Sequence, residues 1–301
     1  MRFTRGRLAL ALAVVIGLIA IAAASQVLAA SQRGPGPVRS QPSPPFVIAV
    51  IGDYGECASS PCVHERAVAA LVHSWRPNVI LTVGDNSYDN GALSEVAVDQ
   101  QPYAVDVAAG SFYPVTGNHD WGTGSLQPSL TYFHRPAHYV AHLDGGLIDF
   151  FATDMNKEDP DGDGSASVQA IQFRQNLATS RAVWKIVGSH QPFYSSGHHG
   201  TQPYTHWAVL PAVDLFLSGH DHDFEDLLVD GRHFVVDGVG GSTESRFMCA
   251  AGCLPQSVFH DVAAFGAVRL TVTKSTLTVE FIAVDGSVEH AFSLQKAESG
   301  P

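Results

Sequence analysis

Basic residues are scarce in this chain. Its 301 residues include 17 Lys and Arg against 29 Asp and Glu, which gives a formal net charge of −12. Affinity for a nucleic acid backbone depends on Lys and Arg that neutralise phosphates. The balance of charge therefore argues against nucleic acid as a partner, and any attraction for an anionic substrate must be local.

Charged residues of both signs make up only 15% of the chain, while hydrophobic residues make up 45%. This composition excludes a disordered protein, and the length suits one large domain or two modest ones. The sequence has no internal repeat, and its sheet-forming segments follow one another without a long break. We therefore predict a single domain over residues 46–290, followed by a tail at 291–301.

Long apolar runs are absent except near the beginning of the chain. Three arginines precede an apolar run from Leu8 to Ala24, and small residues follow at 27–29. This pattern predicts a signal peptide over residues 1–29, with an uncleaved membrane anchor as the alternative because the run is near the lower length limit for a span. A Pro-rich linker is predicted at 30–45. The protein is expected to be a monomer and to be secreted, periplasmic or extracellular, with membrane contact only through an uncleaved segment.

Cysteines are few. The chain contains Cys57, Cys62, Cys249 and Cys253. An even number in an exported protein indicates disulfides, and each neighbouring pair encloses a short loop of small residues and proline. The favoured pairs are Cys57 with Cys62 and Cys249 with Cys253. Zinc binding is the alternative, although neither pair has the two-residue spacing typical of structural zinc sites.

The apolar segments end repeatedly at a polar residue next to glycine. Phe46–Ile51 is a predicted strand that ends at Asp53, and Val79–Val83 is another that ends at Asp85. Between them, Glu65–Trp75 has helical spacing of apolar residues, so the three segments predict a βαβ unit with parallel strands. Both aspartates then lie at the carboxyl ends of neighbouring strands, where open α/β sheets bind ligands.

Three more predicted strands repeat this pattern. They are Phe112–Val115, Trp184–Val187 and Val213–Leu217, and the polar residues after them are Asn118, His119, His190, His220 and His222. Carboxylate, amide and imidazole groups together suit transition metals more than calcium or magnesium. Their number exceeds what one ion needs, and a pair of ions sharing a carboxylate is a recurring device for phosphate ester hydrolysis.

The last third of the chain predicts antiparallel strands. They are Leu227–Asp230, His233–Val236, Gly266–Thr273 and Thr276–Val284, with Asp230-Gly231 as a hairpin turn. A helix is predicted over Val168–Ala178.

One acidic segment resembles a calcium loop. Asp159-Pro160-Asp161-Gly162-Asp163-Gly164 has the spacing with which such loops begin, but the twelfth position is Ala170, where a Glu is needed. We therefore predict a polar loop that caps the following helix, with calcium binding as the alternative.

Together, five blocks in order resemble the purple acid phosphatases, a branch of the calcineurin-like metallophosphoesterases, in their small single-domain form. The blocks are Asp53-Tyr54-Gly55, Gly84-Asp85-Asn86-Ser87-Tyr88, Gly117-Asn118-His119, Val187-Gly188-Ser189-His190 and Gly219-His220-Asp221-His222. The resemblance covers about residues 46 to 285. It implies an α/β fold of four layers, an α/β/β/α sandwich of mixed sheets.

The resemblance also implies a metal centre with a ferric ion and a divalent ion, which would be iron, zinc or manganese. The ferric ion would be held by Asp53, Asp85, Tyr88 and His222. The divalent ion would be held by Asp85, Asn118, His190 and His220, so that Asp85 bridges the two. His119 and His199 match the histidines that the family uses at the substrate. His198 could replace His199, and the alternative role for His119 is to orient Asn118.

The implied function is that of an exported acid phosphatase, a phosphoric monoester hydrolase acting on small-molecule esters or phosphoproteins. In such enzymes a metal-bound hydroxide attacks the ester phosphate. Tyr88 favours this branch, because a phenolate on Fe(III) gives these proteins their colour. The nearest alternative is a metallophosphoesterase for phosphodiesters, nucleotides or pyrophosphate. A non-catalytic, metal-binding surface module is the alternative from another class.

Overall fold

A computed structural model describes residues 44–88, 90–244, 249 and 252–297. The predicted signal peptide and nearly all of the predicted linker lie outside these residues, and the chain from Pro45 onward forms one compact unit. Within the described part of the chain, every helix is too short or too polar to cross a bilayer. Disulfides join Cys57 to Cys62 and Cys249 to Cys253, so both predicted pairs are confirmed.

The first sheet has six strands in the order β13-β12-β11-β1-β2-β3. Strands β1, β2 and β3 are parallel, and the strands from β11 to β13 add to β1 in antiparallel fashion. The bounds are β1 Phe46–Ile51, β2 Val79–Thr82, β3 Phe112–Tyr113, β11 Gly266–Val272, β12 Thr276–Ala283 and β13 Val288–Gln295.

The second sheet has seven strands in the order β10-β8-β9-β7-β6-β5-β4. Strands β5, β6, β7 and β9 are parallel, while β4, β8 and β10 pair in antiparallel fashion. The bounds are β4 Tyr139–Leu143, β5 Ile148–Ala152, β6 Trp184–Gly188, β7 Leu215–Ser218, β8 Phe224–Val229, β9 Arg232–Asp237 and β10 Ser257–Asp261.

Five α-helices are present among the described residues. They are α1 Val63–Ser74, α2 Leu93–Asp99, α3 Ala104–Ala109, α4 Gln127–Phe133 and α5 Val168–Thr179. Short 3₁₀ helices lie at Gln101–Tyr103, His119–Trp121, Asp144–Gly146 and Pro203–Ala208. Ser167 caps the beginning of helix α5, and its hydroxyl accepts a hydrogen bond from the Ala170 amide.

The core lies in three layers because the central strands are apolar on both faces. Along β1, Ile48 and Val50 pack between the two sheets, while Ala49 and Ile51 pack against α1 on the outer face. Strands that are buried on both faces consist of continuous apolar residues, which explains why β1 is apolar throughout. On the other side α5 covers the second sheet. This arrangement confirms the predicted α/β fold with two mixed sheets.

The predicted strands match the structure best in the buried centre of each sheet. Strands β4, β10 and β13 were not predicted, because they lie at sheet edges and bury few side chains. Strand β13 runs to Gln295, so the predicted domain end at residue 290 falls inside a strand and residues 291–295 are not a tail. Strand β9 pairs in parallel with β7, which the prediction of an antiparallel last third did not include.

Candidate metal centre

Five strand ends bring their polar residues to the same edge of the two sheets. Strands β1, β2 and β3 lead to Asp53, Asp85 and Asn118, and strands β6 and β7 lead to His190 and His220. Two of the aspartates and one histidine adopt left-handed backbone angles, with φ of 54° at Asp53, 50° at Asp85 and 73° at His220. Such angles are unfavourable outside glycine and concentrate at functional sites.

The first group of donor atoms surrounds Tyr88. Its hydroxyl donates to Asp53 Oδ1 at 3.2 Å and lies 3.0 Å from Nε2 of His222. The same His222 nitrogen is 3.3 Å from Asp53 Oδ1. Because Tyr88 and Asp53 are buried, these three atoms face one another without intervening bulk water.

The second group surrounds Nε2 of His190. This atom is 3.1 Å from Asp85 Oδ2, 3.1 Å from Asn118 Oδ1 and 3.2 Å from His220 Nδ1. The other ring nitrogen of His190, Nδ1, faces the Val83 carbonyl at 2.8 Å, which orients the ring so that Nε2 points into the group. Ligand atoms from Asp85, His190 and His220 are close enough together to hold one ion.

The buried charges of the two groups depend on one another. The pKa of His190 is raised to about 10 because the charges of Asp85 and Asp53 outweigh its burial. Burial opposes ionisation of Asp85, but the neighbouring imidazole of His190 lowers the Asp85 pKa well below its usual value. The pKa of Tyr88 is raised, first by burial and then by the charges of Asp53 and Asp85. In the protein alone, protonated histidine compensates the carboxylates.

The donor set fits a pair of metal ions. Its members are the side chains of Asp53, Asp85, Tyr88, Asn118, His190, His220 and His222. The distances of 3.0 to 3.3 Å between donor atoms are close to the distance of about 3.3 Å expected between two ligands of a tetrahedral ion with bonds of about 2.0 Å. Adjacent glycines leave space for these side chains, since a Cβ on Gly117 would lie 2.1 Å from Asp85 Oδ1 and one on Gly84 would meet the His190 ring at 2.3 Å.

Two of the histidines predicted to act on substrate lie beside this donor set. The His119 amide donates to Asp85 Oδ1 at 3.0 Å, and its ring lies 4.6 Å from that of Tyr88. The His199 ring stacks on His220 with centroids 3.9 Å apart. The ring of His198, the alternative to His199, lies 5.0 Å from the His199 ring.

Several residues that support the site had no predicted role. Asp221 is buried and accepts from the His199 amide at 2.6 Å, which fixes the loop that carries this histidine. Asp120 accepts from the amides of Gly117 and Asn86, at 2.7 and 3.3 Å, behind the strand ends. Asp221 stands inside the last sequence block, between two predicted ligands, and Asp120 directly follows the block that ends at His119. This adjacency is the signal that could have indicated them.

Two cavities open next to the donor atoms. One, of about 580 Å³, is lined by His198, His199, His220, His222, Asp223, Thr243 and Glu244. The other, of about 650 Å³, includes Asn118 together with Trp121, Lys157 and Tyr204. Asn118 is exposed, so this side of the donor set is open to solvent.

Related proteins match this chain across the region that contains the donor set. The profile of the calcineurin-like phosphoesterase family matches residues 46–224, which include every proposed ligand. Purple acid phosphatase 7 of Arabidopsis thaliana is 25% identical over 94% of this chain and 96% of its own length. Tartrate-resistant acid phosphatase type 5 of Sus scrofa is 24% identical over 71% of this chain and 77% of its own. These matches confirm the resemblance carried by the five blocks.

Solved structures share the fold. Purple acid phosphatase PPD1 from yellow lupin seeds has a TM-score of 0.68 at 20% identity, with 85% of this chain and 54% of that one covered. GAP50, the anchor in the inner membrane complex of Plasmodium, has a TM-score of 0.67 at 19% identity, with 85% and 90% covered. At these identities the structural likeness concerns the fold alone.

Proposed function

The chain belongs to the calcineurin-like phosphoesterase family, and on that premise we propose that it is an exported acid phosphatase with a dinuclear metal centre that hydrolyses phosphomonoesters. The observation that carries the proposal is the position of Tyr88. Its phenol meets Asp53 and His222 next to the group around Asp85, as a ferric site beside a divalent site requires. The similar proteins include a purple acid phosphatase of Arabidopsis thaliana and a tartrate-resistant acid phosphatase of Sus scrofa.

Seven side chains would hold the ions. Asp53, Tyr88 and His222 would bind the ferric ion, Asn118, His190 and His220 the divalent ion of iron, zinc or manganese, and Asp85 both. When bound, the pair supplies an activated water and polarises the phosphate ester. The negative charge of two carboxylates and a phenolate would suit the ion of higher charge, and Tyr88, whose pKa is raised by burial, would give up its proton to bind it.

The remaining residues act on the substrate. His199 is exposed in the cavity of about 580 Å³, and its amide is fixed by Asp221, so its ring can donate a proton to the leaving oxygen. His119 is fixed through its amide on Asp85 and presents a second imidazole to the phosphate oxygens. Both donors work when protonated, which favours hydrolysis in acid solution.

Export is part of the proposal. Two disulfides among the described residues fit an oxidising compartment, outside the cytosol. The substrate would be a phosphate ester of a small molecule or a phosphoprotein, met by a monomeric enzyme.

Phosphate release from an activated phosphomonoester tests this function. Wild type should release phosphate and act more slowly on the matching diester, whereas Asp85→Ala should lose metal and nearly all activity. His142→Ala is the control, since His142 is an exposed histidine that contacts Asp149 and is not among the proposed ligands. Faster hydrolysis of the diester would favour the phosphodiesterase alternative. Full metal content without hydrolysis of either ester would favour a non-catalytic, metal-binding surface module.

A further inference from the structure

A second group of metal-ligating side chains lies outside the proposed centre. It consists of His138, Asp159 and Asp161, each of which offers one ligand atom within 4.8 Å of the other two. Nε2 of His138 is 2.8 Å from Asp161 Oδ2. None of these residues belongs to the donor set described above.

The carboxylate of Asp159 has one oxygen without a partner. Its Oδ1 accepts a hydrogen bond from the Asp161 amide at 2.9 Å. Its Oδ2 is buried and has no hydrogen-bond donor among the described residues. The residue as a whole is only 5% exposed. A buried acceptor without a partner is costly, and a bound cation would satisfy it.

We propose that His138, Asp159 and Asp161 bind a divalent transition metal ion, with zinc as the representative. An imidazole with two carboxylates is a ligand set for zinc or manganese, whereas calcium takes oxygen ligands. The position at which a calcium loop needs a Glu holds Ala170. Three protein ligands leave a further position for water, which the partly exposed Asp161 can admit.

The ion would fasten two segments that are distant in sequence. His138 immediately precedes β4, and Asp159 and Asp161 lie in the loop between β5 and α5. The same loop begins with Asp154, whose Oδ2 accepts from Trp121 Nε1 at 2.9 Å. Its next residues line the cavity of about 650 Å³ that contains Asn118. A bound ion would therefore brace one wall of the cavity beside the metal centre.

Zinc equivalents per full-length chain, measured by equilibrium dialysis and elemental analysis, test this site. His138→Gln and Asp161→Asn should each bind one equivalent fewer than wild type. His142→Gln is the matched control, because His142 also contacts a carboxylate, Asp149, at 2.6 Å, but has no second carboxylate within the group. The comparison between variants does not depend on how many ions the proposed metal centre takes.

A thermal shift gives the second readout. Zinc should raise the melting temperature of wild type and of His142→Gln further than that of His138→Gln, since an ion that binds only the folded state stabilises it. Asp161 is partly exposed, so Asp161→Asn provides a variant expected to fold even if His138→Gln does not. Equal zinc equivalents in all four proteins would overturn the proposal. So would calcium binding that survives in His138→Gln and is lost in Asp161→Asn, which would identify a calcium loop.

Discussion

Asp221 provides a test of how the proposed proton donor is positioned. Its Oδ1 accepts from the His199 amide at 2.6 Å, and its Oδ2 accepts from Ser195 Oγ at 2.5 Å and from the Gly200 amide at 3.2 Å. The carboxylate thus holds both ends of a short loop. Asp221→Asn replaces one accepting oxygen with an NH₂ group, which removes at least one of these hydrogen bonds.

The size of the effect follows from the charge on the acceptor. A hydrogen bond to a charged group contributes about 1.5–3 kcal/mol. If that energy holds His199 in its working position, its loss lowers kcat roughly ten- to hundredfold, at about 1.4 kcal/mol per tenfold change. KM should change less, because the proposed metal ligands and His119, which would face the phosphate, are retained. Ser195→Ala removes only one of the three contacts and should lower kcat by a smaller factor.

Steady-state kinetics with an activated phosphomonoester, together with metal analysis, provides the assay. The expected result is a fall in kcat with unchanged metal content. An unchanged kcat would refute the positioning role of Asp221. Loss of metal would show instead that Asp221 acts through its neighbours His220 and His222, and would equally contradict this reasoning.

Two further substitutions test the geometry and the stability of the fold. Gly117→Ala should reduce metal content and phosphatase activity at least tenfold, because its Cβ would lie 2.1 Å from Asp85 Oδ1; elemental analysis checks this. Asp226 is buried between His233 and His290, at 2.8 Å from each, and these contacts outweigh burial and lower the Asp226 pKa. A lowered carboxyl pKa stabilises the fold above the ordinary value near 4 and ceases to do so as the pH falls through the lowered value. Asp226→Asn should therefore lower the free energy of unfolding in urea by about 3 kcal/mol at pH 7 and by less in strong acid. An equal loss at both pH values would contradict a lowered pKa of Asp226.

Much of the site could be predicted because it depends on local pattern. Short apolar runs that stop at Asp, Asn or His identify strands buried on both faces and place their polar ends at one edge. Asp53 and Asp85 follow from this argument alone. The grouping around His190 needed the resemblance, since strands β6 and β7 belong to a different sheet from β1 and β2.

Other features depend on contacts that a sequence pattern does not contain. The edge strand β13 alternates between exposed and partly buried residues, so it lacks the apolar signal of the central strands. Asp221 and Asp120 act through backbone amides of residues brought close by the fold. The partner of Asp161 is His138, which lies 23 positions earlier and is not part of a sequence motif.

Iron content and visible spectrum of the purified protein test the central claim most directly. We expect at least one iron per chain and a visible absorption band from the Tyr88 phenolate on Fe(III). Tyr88→Phe should weaken or remove the band. The phosphate-releasing activity and the fold of this variant are compared with those of wild type. Iron-replete protein without a visible band, or a band that Tyr88→Phe leaves unchanged, would contradict the assignment of Tyr88 as a ferric ligand.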